Sequence, residues 1–382
     1  MKGSVVIFGA GAIGRGLIAD LVAANGLRPV FVEANAQSAH DLKQAHGYVV
    51  HLTGKIRKDH YVTGYEVLTL EEGEGISKAL SNCLFMATAV GGQNLKTVAS
   101  LVALGFQERK KPLNILVCEN WPHAENVLAQ ALLDLGYCKE HFACIRSSVE
   151  RMVHRTKNSV DLVTEGGQTL YADSRAWKGE QPCIEGLTFS DNIEALYARK
   201  LYTSNAGHAA LAYLGNLSDC TFIYEALEIP RIKENLRALF TVAKEALSLT
   251  NVEFSIENLE LWRAELEQHV DDLITWRYCN RDLTDTVERV ARNPLRKLGT
   301  EERLAGLAHL LERCALPSKP VSRVIGAAMH YRDPGDLESV KLGQIITREG
   351  PGAVLEGVCG FRRRERCYKE CIEFYEYYSS ER

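Results

Sequence analysis

Short apolar runs alternate with amphipathic stretches through the first half of the chain. The apolar runs are rich in β-branched and other large aliphatic residues and comprise Val5–Phe8, Pro29–Val32, Leu84–Val90 and Leu113–Cys118. Segments between them, such as Arg15–Ala24, place apolar residues at helical spacing. Strands that alternate with helices in this way are typical of a parallel sheet covered on both faces. The pattern therefore predicts an α/β domain with a doubly wound sheet.

Two later runs predict a hairpin at the edge of that sheet. Val160–Thr164 and Thr169–Ala172 flank the pair Gly166-Gly167. Short strands separated by a few residues that include glycine are typical of a hairpin. We therefore expect these two strands to pair with each other.

The pattern changes near residue 191, where strand-like runs give way to long helical stretches. Asp191 with Glu194 three residues later resembles a capping box and predicts the start of a helix. Helical spacing then extends over Leu236–Leu249, Ile256–Leu273 and Leu304–Cys314. We predict an α/β domain over residues 1–190 and a mainly α-helical domain over residues 191–382.

Composition and charge exclude several classes of protein. With 382 residues, 46% hydrophobic and 25% charged, the chain resembles a globular protein of two or three domains. A net charge of −4 argues against a nucleic-acid partner, because phosphate neutralisation needs a basic surface. We see neither a secretory signal nor about 18 uninterrupted apolar residues, so we expect no membrane partner. The 11 cysteines include no C-x-x-C pair, which argues against a zinc site or a disulfide framework and favours the cytoplasm.

The first apolar run ends in Gly9-Ala10-Gly11-Ala12-Ile13-Gly14, which has the spacing G-x-G-x-x-G. The first glycine permits a tight turn, the second lets a pyrophosphate approach the backbone, and the third lets the helix pack on the strand. The N-terminus of that helix also offers free N–H groups to an anion. The motif therefore predicts a Rossmann-type dinucleotide site formed by Gly9, Gly11, Ala12, Ile13 and Gly14.

Glu33 indicates which dinucleotide is bound. It stands 19 residues after Gly14, at the end of the second apolar run, close to the roughly 20 expected for an acid that binds the adenosine ribose. A carboxylate there would repel a 2′-phosphate, so we expect NAD rather than NADP. The later strands of such a sheet end at the same crevice, and the cofactor contacts expected there are Thr88, Ala89, Val90 and Asn120.

A second candidate site lies in the segment Lys200–His208, which contains a lysine, an asparagine and a histidine. Asn205 and His208 share one face of a helix, whereas Lys200 lies about 140° from Asn205 on ideal helical geometry. The long lysine side chain or a local irregularity of the helix must bring Lys200 to the other two. From these residues alone, a solvated helix face is the more common explanation.

Several ordered blocks of the sequence together resemble the polyol-specific long-chain dehydrogenase/reductase family. They run through most of the chain and comprise Phe8–Gly11, Ile13–Gly16, Thr88–Gly91, Cys118–Asn120, Lys200–Leu201, Asn205, Gly207–His208, Ala212–Gly215, Pro294–Leu298 and Ala327–His330. The resemblance implies an NAD-binding Rossmann domain followed by a helical substrate-binding domain, no metal, and a monomer.

The resemblance also implies a reaction and a role for each residue. Lys200 would be the general base in oxidation and the general acid in reduction, Asn205 would stabilise the alkoxide, and His208 would orient the substrate hydroxyls. The implied reaction is the interconversion of D-mannitol 1-phosphate and D-fructose 6-phosphate. The family commonly carries Asp-Arg after the sixth strand, whereas this chain has Glu150-Arg151. We expect Glu150 to contact the substrate, with altered sugar contacts.

A phosphorylated sugar needs cationic partners, and one segment of the second domain is rich in them. Because arginine can bind phosphate bidentately, we expect Arg296 and Lys297 to bind the substrate phosphate, followed by His330 and Arg332. Salt bridges with Glu301 and Glu302 are the alternative role for these cations.

Other functions remain open at this point. A reductase of hexuronates such as tagaturonate or fructuronate would direct the same cations to a carboxylate, and a dehydrogenase of unphosphorylated polyols would not need them. A sensor that binds NAD(H) without chemistry is compatible with the fold, since fold does not dictate function. Such a sensor would have no use for a proton donor like Lys200.

Overall fold

The computed structural model of the protein describes residues 3–167, 170–250 and 256–381. The chain forms two compact units that divide between Leu196 and Tyr197. Within the described residues, no helix is both long and apolar enough to cross a membrane.

The strands belong to the first unit and form two sheets. They are β1 (Ser4–Phe8), β2 (Arg28–Glu33), β3 (Gly47–Thr53), β4 (Lys58–Thr63), β5 (Glu66–Thr69), β6 (Phe85–Thr88), β7 (Leu113–Val117), β8 (Phe142–Val149), β9 (Val153–Arg155), β10 (Leu162–Glu165), β11 (Leu170–Asp173) and β12 (Leu187–Ser190). The four apolar runs of the first half lie on β1, β2, β6 and β7, so these strands are confirmed.

The larger sheet has the order β12-β11-β8-β7-β6-β1-β2-β5. From β5 to β8 all neighbouring strands are parallel, and they follow the 3-2-1-4-5-6 order of dinucleotide-binding folds. The order reverses between β1 and β6, which pair from Val5–Phe85 to Phe8–Thr88. Sheets of this kind bind ligands at the carboxyl ends of the two strands where the order reverses.

The smaller sheet has the order β4-β3-β10-β9 and shows that the predicted hairpin is wrong. β10 pairs with β3 and β9 in this sheet, whereas β11 pairs antiparallel with β8 in the larger one. Of the predicted second strand, Thr169 lies outside the described residues. Local apolar alternation identifies a strand but not its partner. Here β10 pairs with the strand just before it and with the distant β3, and β11 pairs with β8 rather than with β10.

Helices pack against both faces of the larger sheet. The first helix contains the π-helical segment Gly14–Ala19 and continues as α1 (Asp20–Ala24); the others are α2 (Ala36–Ala45), α3 (Gly73–Asn82), α4 (Leu95–Ala103) and α5 (Ala124–Asp134). Short 3₁₀ turns occupy Gly92–Asn94 and Leu104–Gln107. Successive residues of a strand point to opposite faces, so Val5 and Ile7 join one core while Val6 and Phe8 join the other. The prediction of a sheet covered on both faces is confirmed.

The second unit is helical, as predicted. Its elements begin within α6 (Ile193–Arg199) and comprise the π-helical turn Lys200–Asn205, α7 (Ala206–Asn216), α8 (Ile223–Glu228), α9 (Pro230–Thr250), α10 (Ile256–Asp272), the π-helical turn Leu273–Arg277, the 3₁₀ turn Arg281–Leu283, α11 (Val287–Ala291), α12 (Pro294–Lys297), α13 (Ala305–Arg313), α14 (Lys319–Ala328), α15 (Leu337–Glu349), α16 (Pro351–Gly357) and α17 (Arg366–Ser380). The helical stretches read from the sequence lie on α9, α10 and α13.

Helix α7 forms the centre of this unit. Every residue from Ala206 to Gly215 is buried except His208, as expected of a helix that is apolar on all sides. A histidine that interrupts such a helix needs polar partners, because an unpaired polar group in a core is costly.

The start of α6 differs from the prediction in its capping residue. Asn192, rather than Asp191, accepts the N–H of Ala195 at 3.2 Å. Asp191 accepts the hydroxyl of Ser174 instead. The pattern located the beginning of the helix to within a residue or two but did not choose between two adjacent capping side chains.

Candidate active site

The glycine-rich loop joins β1 to the first helix, and its glycines have three different surroundings. Gly9 has a φ of +91°, and a Cβ on Gly9 or Gly14 would overlap a backbone carbonyl oxygen. Beside Gly11 the space is open: only a guanidinium nitrogen of Arg155 lies within 4 Å of the position its Cβ would take, at 3.5 Å, apart from chain neighbours and among the described residues. These surroundings suit the turn, the close packing and the open approach that a pyrophosphate-binding loop requires.

Glu33 ends β2 and contacts the glycine-rich loop. One of its carboxylate oxygens accepts the N–H of Ala10 at 2.7 Å, and the other accepts the N–H of Asn35 at 2.8 Å. The carboxylate is therefore fixed beside the loop. Its negative charge would oppose a 2′-phosphate on an adenosine ribose bound there.

A second carboxylate fixes the loop that follows β6. Glu119 accepts the N–H of Val90 at 2.9 Å and that of Gly91 at 2.8 Å. The backbone after Ala89 is thus held from the end of β7. Thr88 is fully buried, and its hydroxyl has no hydrogen-bond partner within the part of the chain that the structure describes. The side chain of Asn120 is exposed.

In the second unit, Lys200 and Asn205 are the first and last residues of a π-helical turn. The N–H of Ala206 donates to the carbonyl of Leu201, five residues earlier, where an α-helix would use the carbonyl four residues earlier. An i→i+5 bond brings residues five apart close to one face. The turn therefore removes most of the separation of about 140° that an ideal α-helix would impose.

Polar side chains support this π-helical turn. The Thr203 hydroxyl donates to the Arg199 carbonyl at 2.5 Å, and the Tyr278 hydroxyl donates to the Ser204 carbonyl at 2.8 Å. His269 Nε2 lies 3.0 Å from Thr203 Oγ1 and 3.1 Å from Ser204 Oγ. Side-chain hydroxyls on backbone carbonyls offer the chain an alternative to regular helical bonding. The irregular turn is therefore held from several directions.

His269 is neutral at ordinary pH. Burial lowers the pKa of its imidazole well below the usual value, and the cations Arg199 and Arg277 lower it further, against the smaller opposing effect of Asp272. A neutral ring can accept a hydrogen bond from a neighbouring hydroxyl. This state suits its place between Thr203 and Ser204.

His208, three residues beyond Asn205, contacts a carboxylate from a distant part of the chain. Its Nε2 lies 2.6 Å from Asp285 Oδ2, although their alignment is not that of a regular hydrogen bond. Asp285 Oδ1 accepts Arg289 Nε at 2.7 Å. The carboxylate favours the tautomer with a proton on Nε2, which leaves Nδ1 of His208 as an acceptor.

The charges of this pair follow from burial and from the neighbouring cations. Burial lowers the pKa of His208, with Arg289 and Arg277 acting in the same direction and Asp285 opposing them. Burial alone would raise the pKa of Asp285, but His208 and Arg289 bring it to about 2. The pair at neutral pH is a neutral imidazole beside a carboxylate.

The other predicted residues of this group differ in their surroundings. Lys200 and Asn205 are half-buried. The amide of Asn205 makes no side-chain hydrogen bond to any other described residue. Glu150 follows directly after β8 in the first unit and is buried.

Lys297 has different partners from the predicted phosphate. Its side chain is buried, and Nζ donates to the carbonyls of Val290, at 2.6 Å, and Arg292. These carbonyls lie at the C-terminal end of α11, where a helix has unpaired acceptors. Burial, together with Arg303 and Arg296, lowers the pKa of Lys297 to about 7. The geometry gives Lys297 a structural role and does not support its predicted contact with substrate.

The remaining cations of the predicted phosphate site also have protein partners. Glu302 pairs with Arg303 at 3.0 Å and with Arg296 at 3.6 Å. His330 Nε2 lies 2.9 Å from the Tyr375 carbonyl, with its ring stacked on Tyr375. Arg332 donates to the carbonyls of two residues just before it in the chain. Salt bridging to Glu302, the alternative noted from the sequence, is therefore observed for Arg296.

Two residues near the candidate site were missed by the sequence analysis. Asp285 lies 77 residues after His208, and no local pattern links them. Arg155 follows the glycine-rich loop by more than 140 residues and belongs to a strand too short to show alternation. Only the folded structure brings Asp285 to the histidine and Arg155 to the loop.

Comparison with known families assigns both parts of the chain. Residues 3–185 match the family model of the mannitol dehydrogenase Rossmann domain. Residues 192–358 match the family model of the mannitol dehydrogenase C-terminal domain. Together these matches cover most of the sequence.

Solved structures share the fold at low sequence identity. The Pseudomonas fluorescens mannitol 2-dehydrogenase, in ternary complex with NAD and D-mannitol, has a TM-score of 0.75 and 14% identity, covering 100% of this chain and 92% of that one. A D-sorbitol dehydrogenase in substrate-free form has a TM-score of 0.79 and 16% identity, covering 100% of this chain and 94% of that one. At such identities the likeness establishes the fold.

Proposed function

Because the chain belongs to the mannitol dehydrogenase family, it is an NAD-dependent polyol dehydrogenase, and we propose that it interconverts D-mannitol 1-phosphate and D-fructose 6-phosphate. The chemistry is supported chiefly by the braced π-helical turn that begins at Lys200 and ends at Asn205. NAD, held by the glycine-rich loop and Glu33, would supply the hydride acceptor in oxidation and, as NADH, the donor in reduction.

Lys200 is assigned the proton transfer. Oxidation of a secondary alcohol releases a hydride from carbon and a proton from the hydroxyl, leaving a carbonyl. Uncharged Lys200 Nζ would accept that proton, and in reduction its ammonium would return the proton to the carbonyl oxygen. A positioned acid or base of this kind contributes about 10²- to 10⁴-fold to the rate.

Asn205 and His208 are assigned to the substrate oxygens. The amide N–H of Asn205 would donate to the oxygen on which charge develops, a contact worth about 10²- to 10³-fold in oxyanion sites. Nδ1 of His208 would accept a hydrogen bond from a neighbouring hydroxyl of the sugar. Asp285 acts through His208, because the carboxylate 2.6 Å away favours one tautomer and one ring orientation.

A lysine variant tests the proton-transfer assignment. Lys200→Met should reduce turnover by at least about 10²-fold while the dissociation constant for NADH, measured by fluorescence titration, stays nearly unchanged. Lys341→Met removes an exposed lysine of α15 and serves as the matched control. Retained activity in Lys200→Met would remove the lysine mechanism.

The phosphate specificity rests on the sequence resemblance and on one remaining cation. Since Lys297, His330 and Arg332 are bonded to main-chain carbonyls, we assign the phosphate to Arg296, whose side chain is 34% exposed. Because these cations already bond groups of the protein, a second candidate is a dehydrogenase of unphosphorylated polyols, which would need no cation at this place.

A substrate panel separates these candidates. NADH oxidation is measured with fructose 6-phosphate, fructose, tagaturonate and fructuronate at matched concentrations. We expect kcat/KM for fructose 6-phosphate to exceed that for fructose by about 10²-fold, as for a charge-assisted contact of 1.5–3 kcal/mol. Arg296→Ala should reduce this ratio about tenfold or more. Equal efficiency with fructose and its phosphate would favour the second candidate.

A further inference from the structure

We propose that Arg155, delivered by the smaller sheet, binds the pyrophosphate of the dinucleotide from the side opposite the glycine-rich loop. The inference rests on NAD binding, which the proposed function requires, but not on the identity of the sugar. Its basis is the position of β9 against the first helix.

Every second residue from Arg151, just before β9, to Arg155, at its end, contacts the first helix or the glycine-rich loop. Arg151 donates to the Gly16 carbonyl at 3.1 Å and pairs with Asp20 at 2.6 Å. Val153 contacts the helix at Gly16, where a Cβ would overlap the valine side chain. Residues two apart on a strand point to the same face. Arg155 is the next residue of this series, and its contact is Gly11.

The buried ion pair and the tight packing fix where β9 lies. Arg151 and Asp20 have side-chain exposures of only 4% and 2%. β9 also pairs with β10, where Arg155 stands opposite Leu162. A backbone anchored on both sides presents the next side chain at a defined place, since the strand cannot slide without breaking these contacts.

The guanidinium of Arg155 occupies the approach to Gly11. One of its nitrogens lies 3.5 Å from the point that a Gly11 Cβ would take. Gly11 is the residue of the motif whose missing side chain lets a pyrophosphate reach the backbone. A group bound there would therefore meet the backbone N–H groups on one side and the guanidinium on the other.

The charge around Arg155 is suited to an anion. Its side chain is exposed, and none of the described carboxylates forms an ion pair with it. Arg15, whose Nε donates to the Ala10 carbonyl at 2.8 Å, is a second cation beside the same loop. Burial, with the nearby Arg155, lowers the pKa of Arg15. Two neighbouring guanidiniums repel each other, and an anion bound to Arg155 would reduce that repulsion.

The ligand class follows from this geometry. A guanidinium can donate two parallel hydrogen bonds to phosphate oxygens. Because Gly11 is the approach for the bridging pyrophosphate, the contact should be common to NADH and NADPH. A contact with the 2′-phosphate would instead affect NADPH alone.

Direct binding of NADH tests the proposal without turnover. Dissociation constants for NADH and NADPH are measured by fluorescence titration for the wild type, Arg155→Ala and Arg155→Met, the last of which keeps an apolar stem in place. We expect NADH to bind about tenfold more weakly in both variants, corresponding to about 1.4 kcal/mol, and NADPH to weaken by the same factor. The NADH dissociation constant of the wild type should also rise more steeply with salt concentration than that of the variants, because salt screens the charge contact that the variants lack.

Arg175→Ala is the matched control, because it removes an exposed arginine that pairs with Asp173 at 3.4 Å elsewhere in the same unit. It should leave the NADH constant unchanged, and thermal unfolding checks that each variant is folded. NADH binding within twofold of wild type in both Arg155 variants, or a loss confined to NADPH, would overturn the proposal. If sugars prove inactive while NADH binding weakens as expected, only the proposed substrate fails.

Discussion

The contact between His208 and Asp285 makes a specific prediction about the variant Asp285→Asn. The two side chains are only 15% and 6% exposed, and 2.6 Å separates Nε2 from Oδ2. Asparagine has nearly the same shape and keeps an oxygen that can accept from Arg289. The substitution therefore mainly removes the charge that selects the Nε2–H tautomer of His208, since an amide can turn either its oxygen or its NH₂ group to the ring.

The expected loss follows from what the carboxylate does. Carboxylates that orient metal-bound histidines typically contribute about 10- to 100-fold, and we expect a similar effect for a histidine that orients substrate. kcat/KM should thus fall about 10- to 100-fold, or roughly 1.4–2.7 kcal/mol. Because Asp285 is buried, the unfolding free energy should also fall by about 1–3 kcal/mol, the usual cost of leaving a buried polar group without a matched partner.

A double-mutant cycle separates positioning from general damage. Steady-state kcat/KM is measured for Asp285→Asn, His208→Ala and the double variant, with the NADH dissociation constant as a control for the first unit. If Asp285 acts through His208, its substitution should cost little more once the imidazole is gone. Fully additive losses, or wild-type kcat/KM in folded Asp285→Asn, would refute the reasoning.

Three further outcomes are expected. Glu33→Ala should lower the preference for NADH over NADPH, measured as the ratio of kcat/KM values, by about tenfold or more because it removes a charge that repels the 2′-phosphate. The free energy of unfolding should fall as the pH drops below 6.5, because buried His269 has its pKa lowered and binds a proton on unfolding. In denaturant unfolding between pH 7 and 5, the unfolding free energy of His269→Gln should fall less steeply than that of the wild type, by up to about 1.4 kcal/mol per pH unit. Lys297→Met should leave the ratio of kcat/KM for fructose 6-phosphate and fructose within twofold of wild type, since Nζ already bonds backbone carbonyls; a large drop would restore its phosphate role.

The amino-acid sequence was sufficient for features that depend on near neighbours in the chain. The alternation of runs predicts the parallel sheet, and G-x-G-x-x-G at Gly9–Gly14 with Glu33 predicts the loop and the carboxylate that are found together. These features can be read locally because strand, turn and helix follow one another directly in the chain. The spacing from Lys200 to Asn205 likewise indicated that either the long lysine side chain or a local irregularity of the helix brings the two residues together, and the structure has a π-helical turn there.

Tertiary structure decided which distant residues meet. The pairing of β10 with β3 and of β11 with β8, the carboxylate beside His208 and the guanidinium beside Gly11 all join residues that are not neighbours in sequence. Lys297 bonds carbonyls only five and seven residues away, but its burial is likewise a property of the folded chain. Local patterns record whether a residue is apolar or polar, but the partner of a buried charge is set by how whole elements pack. A lysine that binds phosphate and one that satisfies the end of a helix look alike in sequence, and they differ only in which acceptor the fold places within reach.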